Sequence, residues 1–267
     1  MTASTQETDA RSVEAALDAL WETIYDPQSR AIVEDLGIAR DWRILELGAG
    51  AGSMAYWFAE RADRGSVLAV DTDISKLDAS RSPGLTVRQL DVTEADFEPG
   101  SFDLIFARAF FEHLARPEDV LRRAVEWLAP GGHLVVEDFY FLPSEHCATD
   151  VGRSLVGAYL KGWEAAGADM HWGRRLPATL ARAGLSSVDL RVTPLGPGQH
   201  AVDNELMRLR MKLQGAGLVE NGLVSAEDLA AFVANLDDPA ARDVTTLLFS
   251  ASGRRAADSD RPARQAG

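Results

Sequence analysis

RILELGAGAGSMAYWFAERA, residues 43–62, places three glycines between an apolar run and an amphipathic one. The run RILEL is typical of a buried strand, and SMAYWFAERA has the apolar spacing of a helix. Glycine-rich turns between a strand and a helix often hold a phosphate group, because backbone N–H groups at the start of the helix point at the ligand. The stretch therefore predicts an α/β unit whose turn, at Gly48, Gly50 and Gly52, binds a ligand.

The details of this turn argue against two phosphate ligands. A nucleoside-triphosphate loop carries a lysine after its last glycine, whereas Ser53 and Met54 follow here. A dinucleotide loop has the spacing G-x-G-x-x-G, whereas this turn has G-x-G-x-G. Glu46 lies two residues before the first glycine, where a carboxylate disfavours a diphosphate unless it faces away. The turn therefore favours a ligand without phosphate.

The rest of the chain alternates apolar runs with amphipathic segments over short connections. We predict strands at residues 43–47, 66–71, 85–91, 101–107, 133–139, 186–196 and 243–255. We predict helices at residues 12–25, 53–62, 116–130, 144–170, 174–185, 201–217 and 225–236, and one more that starts within residues 71–77. Asp26–Pro27 is expected to end the first helix. The pattern predicts an α/β fold with a doubly wound, Rossmann-like, mostly parallel sheet covered on both faces.

Composition limits the partners and the location. The net charge of −14 argues against a nucleic-acid or anionic-membrane surface, since both bind positive patches. Cys147 is the only cysteine, which excludes an internal disulfide and suits a reducing compartment. Residues 1–10 lack the features of a secretory signal, and no apolar run approaches the ~18 residues of a membrane helix. We expect a cytoplasmic monomer or homodimer that acts on a small molecule.

Two aspartates follow the second and third strands. Asp71 lies 23 positions after Gly48, where an acidic residue can accept both hydroxyls of a ribose. The alternative for Asp71 is a helix cap, a role that Asp73 could fill equally well. Asp91 could accept a hydrogen bond from an adenine amino group, or it could be an ordinary turn aspartate. These positions are compatible with any adenosine ligand.

Five segments together resemble, in order and spacing, the class I S-adenosylmethionine-dependent methyltransferases, and more narrowly the branch that methylates natural products and quinone precursors. They are ILELGAGAG (44–52), VLAVDTD (67–73), QLDVTEADF (89–97), FDLIFARAFFEHL (102–114) and LAPGGHLVVEDF (128–139). The resemblance covers about residues 40–140. It implies the strand order 3-2-1-4-5-7-6 with the last strand antiparallel. It also implies S-adenosylmethionine as the cofactor, which has no phosphate for a lysine to meet.

The resemblance implies a role for each cofactor-binding residue. Glu46 and the backbone of Gly48, Ala49 and Gly50 would lie against the methionine part of the cofactor. Asp71, with the adjacent Thr72, would hold the ribose. Asp91 and the Val92 backbone would hold the adenine, and the Ala107 carbonyl would accept a hydrogen bond from the amino group of the cofactor.

The resemblance also sets the expected domain boundaries. We expect a single methyltransferase-fold domain, with a substrate lid and additional helices, between two tails. We expect a flexible tail at residues 1–10 and a disordered tail at residues 256–267. The domain between them covers residues 11–255. Within it, the lid comprises residues 11–30 and 140–172, and the additional helices lie in residues 201–236.

Candidates for the chemistry follow the fourth and fifth strands, because ligands of open α/β sheets lie beyond the carboxyl ends of the strands. His113 is the best single base by type, since its unperturbed pKa lies near neutrality; its alternative is a packing role. Similar sugar O-methyltransferases have a His-His pair here, and Glu112 replaces the first histidine, which leaves the base role open. Asp138 corresponds to an acidic residue that orients substrate in those relatives, or is a strand-end turn residue. Its neighbour Glu137 would point to the opposite face.

Residues that could bind the acceptor are mostly aromatic. Those we assign to it are Tyr25, Arg108, Trp163, His171 and Trp172, with packing inside the lid as the alternative for the rings. We expect no metal, because His146 and Cys147 have no second His or Cys at ligand spacing.

Three catalytic functions compete, and a non-catalytic partner protein is a further alternative, which the intact cofactor elements disfavour. The first is methyl transfer from S-adenosylmethionine to a natural-product or quinone-like small molecule, at oxygen with the help of a base, with nitrogen and carbon as the other acceptor atoms. The second is a cyclase of pericyclic type that keeps the cofactor as a structural element. The third is a nicotinamide oxidoreductase, which the glycine spacing and Glu46 disfavour.

Overall fold

The computed structural model describes residues 3–257 of the chain, and their side chains from Ser12 onward. The contacts divide the chain into two compact units. The helical unit runs up to Gln28 and includes Phe139–His171 and Val192–Leu248. The sheet unit comprises Ser29–Asp138, Trp172–Arg191 and the chain from Phe249 onward. The predicted single domain and its lid boundaries stay predictions.

The described residues form seven strands in one sheet. They are β1 (Arg43–Leu47), β2 (Ser66–Asp71), β3 (Leu85–Gln89), β4 (Phe102–Arg108), β5 (Leu128–Phe141), β6 (Ser186–Leu195) and β7 (Thr246–Arg254). Their order is β3-β2-β1-β4-β5-β7-β6. The pairs β1–β2, β1–β4, β2–β3 and β4–β5 are parallel. The predicted Rossmann-like fold and strand order are confirmed.

Strand β7 runs against its neighbour β5. The Gly131 N–H donates to the Arg255 carbonyl at one end, and the Leu142 N–H donates to the Thr245 carbonyl at the other. Residue numbers therefore rise along β5 as they fall along β7, which is the antiparallel arrangement expected of the last strand.

The described residues also form seven α-helices. They are α1 (Ala3–Asp35), α2 (Ser53–Arg61), α3 (Pro117–Trp127), α4 (Asp150–Ala165), α5 (Leu176–Arg182), α6 (Ala201–Glu220) and α7 (Ala226–Asn235). Helix α4 is shorter than expected, because the Thr149 hydroxyl accepts the Gly152 N–H and caps its start. None of the helices in the described part of the chain is long and apolar enough to cross a membrane.

Helix α1 is longer than expected at both ends. It begins at Ala3, so residues 3–10 belong to it rather than to a tail, and it continues through Pro27 to Asp35. A proline inside a helix removes one hydrogen bond and costs ~3 kcal/mol. Asp26 and Ser29 on either side are buried, and such packing outweighs the local cost. Residues 1–2 and 258–267 of the expected tails lie outside the described residues.

The connection from β2 to β3 differs from the prediction of a helix. Within the described residues 72–84, regular structure is limited to a 3₁₀ turn at Ala79–Arg81. The Asp73 carboxylate accepts the Ser75 N–H at 2.9 Å, and the Asp78 carboxylate accepts the Ser80 N–H at 2.9 Å. Such local side-chain hydrogen bonds satisfy the backbone in non-helical turns and compete with a helix.

The sheet unit has an apolar layer on each face of its strands. Leu104 and Phe106 of β4 pack with α2 on one face, whereas Ile105 and Ala107 pack with α3 and α5 on the other. This alternation explains why the middle of β4, residues 104–107, is continuously apolar. The helical unit has a core of its own, formed by Leu155, Ala158, Met211, Val224, Phe232 and Leu236.

Candidate functional site

The glycine turn is fastened to the end of β2. The Gly48 and Ala49 N–H groups both donate to the Val70 carbonyl, at 2.9 and 3.1 Å. Gly48 and Gly50 have φ of +68° and +54°, a left-handed conformation that favours glycine. A Cβ on Gly48 would lie 2.5 Å from the Phe110 ring, whereas one on Gly50 would meet no described atom within 4 Å. The turn is thus packed at Gly48 and open at Gly50, where a ligand can approach the backbone.

Asp71 supports this turn from the end of β2. Its Oδ2 accepts the Gly50 N–H at 2.8 Å, and its Oδ1 accepts the Asp73 N–H at 3.0 Å. The side chain is partly exposed, and a carboxylate can accept about four hydrogen bonds. The helix-cap alternative for Asp71 is wrong, because the described segment that follows forms turns. The carboxylate keeps acceptor capacity for a ligand, and the ribose role stays a prediction.

Asp91 follows β3 in an exposed turn. Its Oδ1 accepts the Thr93 N–H at 2.8 Å and the Thr93 hydroxyl at 2.7 Å. These hydrogen bonds hold the pKa of the Asp91 carboxyl below its usual value. This is the geometry of a turn aspartate, with the adenine role still a prediction. The next residue, Val92, is buried.

The ends of the adjacent strands fit the predicted cofactor. In sheet order, β3, β2 and β1 carry Asp91, Asp71 and Glu46 at or near their carboxyl ends. A row of carboxylates favours a cationic ligand rich in hydroxyl groups, and disfavours a diphosphate. The open backbone at Gly50 adds room for close approach. All residues assigned to the cofactor belong to the sheet unit. They are Glu46, Gly48, Ala49, Gly50, Asp71, Thr72, Asp91, Val92 and Ala107.

Arg108, the last residue of β4, connects three elements of the sheet unit. Its Nη1 donates to the Ser29 hydroxyl of α1 at 2.9 Å, and its Nη2 lies 3.5 Å from the Ser53 hydroxyl at the start of α2. The Ser29 hydroxyl donates in turn to Oε2 of Glu137, and the Ser250 hydroxyl donates to Oε1 of Glu137 at 2.7 Å. Glu137 and these serines have no function predicted from the sequence. The available signal was a second carboxylate inside the otherwise apolar run HLVVEDF.

The backbone after Arg108 turns sharply. Ala109 has φ of +51°, a conformation that is strained in a residue with a Cβ, and its N–H donates to the Glu137 carbonyl at 2.7 Å. The turn brings the Phe110 ring against Gly48. The segment that carries Glu112 and His113 therefore starts beside the glycine turn.

Glu112 and His113 form a pair in a 3₁₀ turn, Phe111–His113. His113 Nε2 lies 3.5 Å from Glu112 Oε1, and the exposed fractions of the two side chains are 37% and 2%. Burial lowers the pKa of His113 below 6.5, so the imidazole is neutral near pH 7. A neutral imidazole next to a buried carboxyl group can accept a proton.

Asp138, the third residue assigned to the chemistry, is fully buried near the end of β5. Its Oδ1 accepts the Phe110 N–H at 2.9 Å. Burial raises the pKa of Asp138 to about 7, while the Phe110 N–H and the nearby Trp172 indole act in the opposite direction. Within the described part of the chain, neither Asp138 Oδ2 nor Trp172 Nε1 has a hydrogen-bond partner of normal geometry.

The residues assigned to the acceptor divide between the two units. Tyr25, Trp163 and His171 belong to the helical unit, whereas Arg108 and Trp172 belong to the sheet unit. Tyr25 and Trp172 are buried core rings, and Tyr25 packs 4.4 Å from Trp21. Trp163 is half-buried and His171 exposed. Among the described residues, no group of three His, Cys, Asp or Glu side chains could hold a metal ion.

Comparison with known proteins adds independent information. A family model described as a methyltransferase domain matches residues 45–136. The chain is 35% identical over 193 residues to methyltransferase str3 from Strobilurus tenacellus, a match that covers 67% of this chain and 68% of that protein.

Two solved structures are similar in fold. Phosphoethanolamine N-methyltransferase 2 from Haemonchus contortus, in complex with phosphomonomethylethanolamine and S-adenosylhomocysteine, has a TM-score of 0.56 and 17% identity. That match covers 86% of this chain and 53% of the other, so this chain spans about half its length. The [4+2]-cyclase SpnF has a TM-score of 0.60 and 16% identity, over 89% of this chain and 84% of that one. Identities this low indicate the fold alone.

Proposed function

Because this chain belongs to the class I S-adenosylmethionine-dependent methyltransferases, with S-adenosylmethionine as its cofactor, we propose that it methylates an oxygen atom of a small-molecule acceptor with the help of a base. The observation that carries this proposal is the Glu112–His113 pair, which follows β4 directly after the turn that packs Phe110 against Gly48. The cofactor, when bound, supplies a methyl group that is already activated by a sulfonium.

His113 is the proposed base. Its imidazole, which faces Glu112 through Nε2, takes the proton from an acceptor hydroxyl. The imidazole gains a positive charge in this step, and the buried Glu112 carboxyl group stabilises that charge. The lowered pKa keeps His113 in the neutral form that can accept the proton. Asp138 orients the Phe110 segment through the Phe110 N–H.

The cofactor is held, in this proposal, along the carboxyl ends of three strands. Asp71, with Thr72, binds the ribose, Asp91 and the Val92 backbone bind the adenine, and the Ala107 carbonyl binds the amino group. Glu46 and the backbone of Gly48, Ala49 and Gly50 lie against the methionine part. The open space at Gly50 and the partial exposure of Asp71 support this placement.

We assign the acceptor to the natural-product or quinone-like class and its contacts to Arg108 and the aromatic residues Tyr25, Trp163, His171 and Trp172. The net charge of −14 supports a small molecule over nucleic acid or an anionic membrane. A single cysteine supports a cytoplasmic location.

The test is a calorimetric titration with S-adenosylmethionine and S-adenosylhomocysteine, with reduced nicotinamide cofactors as controls. We expect micromolar binding of the two adenosyl compounds alone. A mass-spectrometric search then follows a 14-dalton increase on candidate acceptors and the formation of S-adenosylhomocysteine. Conversion of an acceptor without consumption of S-adenosylmethionine would replace methyl transfer by the cyclase alternative, and binding of a nicotinamide in place of the adenosyl compounds would contradict both.

A further inference from the structure

A continuous chain of polar side chains runs from the buried core of the sheet unit to its partly exposed edge. It starts at the Glu137 carboxyl group, passes through the Ser29 hydroxyl to the Arg108 guanidinium, and ends at the Ser53 hydroxyl. We call these four residues the buried relay. Ser29 and Glu137 are both 0% exposed, so their hydrogen bonds are shielded from water.

The donors and acceptors of the relay match along its length. A serine hydroxyl has one proton to donate and two lone pairs to accept. Ser29 donates its proton to Glu137 and accepts from Arg108, so its hydroxyl orientation is fixed from both sides. An Arg guanidinium only donates, and a fixed acceptor holds its planar group in one orientation. The buried carboxyl group therefore helps to determine the position of Arg108 through the Ser29 hydroxyl.

The far end of the relay reaches the cofactor turn. Ser53 is the first residue of α2 and directly follows Gly52, whose N–H donates to the Ala49 carbonyl at 2.8 Å. Arg108 itself follows Ala107 on β4, the strand that is paired with β1. A guanidinium held in place at this point connects the end of β4 with the start of α2.

We propose that Glu137 is a positioning residue, which acts through Ser29 and Arg108 to hold the start of α2 and the adjacent glycine turn ready for S-adenosylmethionine. This inference rests on the proposed function for the identity of the ligand. It assigns to Ser29, on α1, an effect on cofactor affinity although Ser29 is not itself a cofactor contact.

The chain offers a matched control. Ser250 donates to the other oxygen of the same carboxyl group and is buried like Ser29, but it lies on β7 and is not one of the four relay residues. Ser29→Ala breaks the relay, whereas Ser250→Ala removes an equivalent hydrogen bond outside it. Ser53→Ala breaks the relay at its other end, at a half-buried position where the change is tolerated more easily.

The experiment measures S-adenosylhomocysteine affinity by calorimetry and the melting temperature of each variant. We expect Ser29→Ala and Ser250→Ala, the two substitutions at buried positions, to lower the melting temperature by similar amounts. We expect Ser29→Ala to weaken S-adenosylhomocysteine binding about fivefold or more, Ser53→Ala about two- to fivefold, and Ser250→Ala less than twofold. The double variant Ser29→Ala/Ser53→Ala is expected to lose less than the product of the single losses, because both act through Arg108.

The outcomes separate the two proposals. Equal affinities in Ser29→Ala and Ser250→Ala, with normal binding by the unmodified protein, would overturn the buried relay and leave the proposed function intact. Multiplicative losses in the double variant would also contradict it. Absence of S-adenosylhomocysteine binding by the unmodified protein would overturn the proposed function, and the relay's assignment to that cofactor with it.

Discussion

Nε2 of His113 lies 3.5 Å from Oε1 of Glu112, in a pair that joins a buried carboxyl group to a partly exposed imidazole. The pair places one ring nitrogen of His113 towards the Glu112 carboxyl group. In the sequence, Glu112 stands where similar sugar O-methyltransferases have the first histidine of a His-His pair, which leaves the base role of His113 open. In the structure Glu112 is the neighbour of the proposed base, His113.

Replacement of His113 tests the base directly. We expect His113→Ala to lower turnover by about 10²- to 10⁴-fold, because proton transfer in the transition state loses its acceptor. The affinity for S-adenosylhomocysteine should change by less than about threefold. Steady-state kinetics with the identified acceptor and calorimetry measure the two quantities. Normal turnover in this variant would remove His113 as the base.

The pH dependence of the reaction follows from the lowered pKa of His113. The neutral imidazole is the active form, so kcat/KM should fall as the pH decreases through a pKa below 6.5. Glu112→Gln replaces the carboxyl group that faces Nε2 of His113 by an amide, and should move this acidic limb of the pH–rate profile to a lower pH. If the acidic limb of kcat/KM lies at the same pH in Glu112→Gln as in the unmodified protein, the proposed partnership of Glu112 and His113 is contradicted.

Asp138 should make stability depend on pH. Its pKa is about 7 in the folded protein, against an ordinary value of 3.8. Between these values the folded state binds more protons than the unfolded state, so the free energy of unfolding falls as the pH rises. Asp138→Asn keeps an acceptor for the Phe110 N–H and does not titrate.

We therefore expect the stability advantage of Asp138→Asn over the unmodified protein to grow between pH 5 and pH 8, by up to about 3 kcal/mol. Urea denaturation at the two pH values measures it. A constant difference would show that Asp138 is ionised in the folded protein throughout this range.

Asp71→Ala should weaken binding of S-adenosylmethionine by an order of magnitude or more, because hydrogen bonds to a charged acceptor contribute ~1.5–3 kcal/mol each. Part of this loss comes from the Gly50 N–H, which loses its acceptor. Asp71→Asn separates the two contributions, since the amide oxygen can still accept from Gly50. Calorimetric titration of both variants measures them, and unchanged affinity in Asp71→Ala would exclude the ribose role.

Two glycines in the same turn should respond differently to alanine. Both have positive φ, so each substitution introduces backbone strain of about 1–2 kcal/mol. Gly48→Ala adds a contact of 2.5 Å with the Phe110 ring, whereas Gly50→Ala places its methyl group in open space. We expect the larger loss of melting temperature in Gly48→Ala. Gly50→Ala should mainly reduce cofactor affinity, and equal effects on both quantities would contradict the open approach at Gly50.

The sheet was predictable because its information is local. The alternating faces of β4 and the glycine turn after β1 are visible in runs of five to ten residues. The position of Asp71 at the end of β2 is also predictable from the neighbouring residues alone. The full length of helix α1 was harder to predict, because its continuation past Pro27 depends on the burial of Asp26 and Ser29 by other elements.

The contacts that complete the site could not be read from the sequence. Ser29 and Glu137 are separated by 108 positions, and Glu137 and Ser250 by 113. A lone serine in an amphipathic helix has no pattern that marks its partner. The missing helix between β2 and β3 has a local cause, since the aspartates that cap its turns also resemble a helix start.

The position of β7 has a consequence for synthesis on the ribosome. This strand is the last of the described strands, yet it lies between β5 and β6 in the sheet. Until residues 246–254 have emerged, the nascent chain exposes the unpaired edge of β5, and unpaired edges are sites of aggregation. The Ser250 hydroxyl also reaches Glu137 only when β7 is in place. A chain that terminates prematurely before Thr246 should therefore aggregate or require a chaperone.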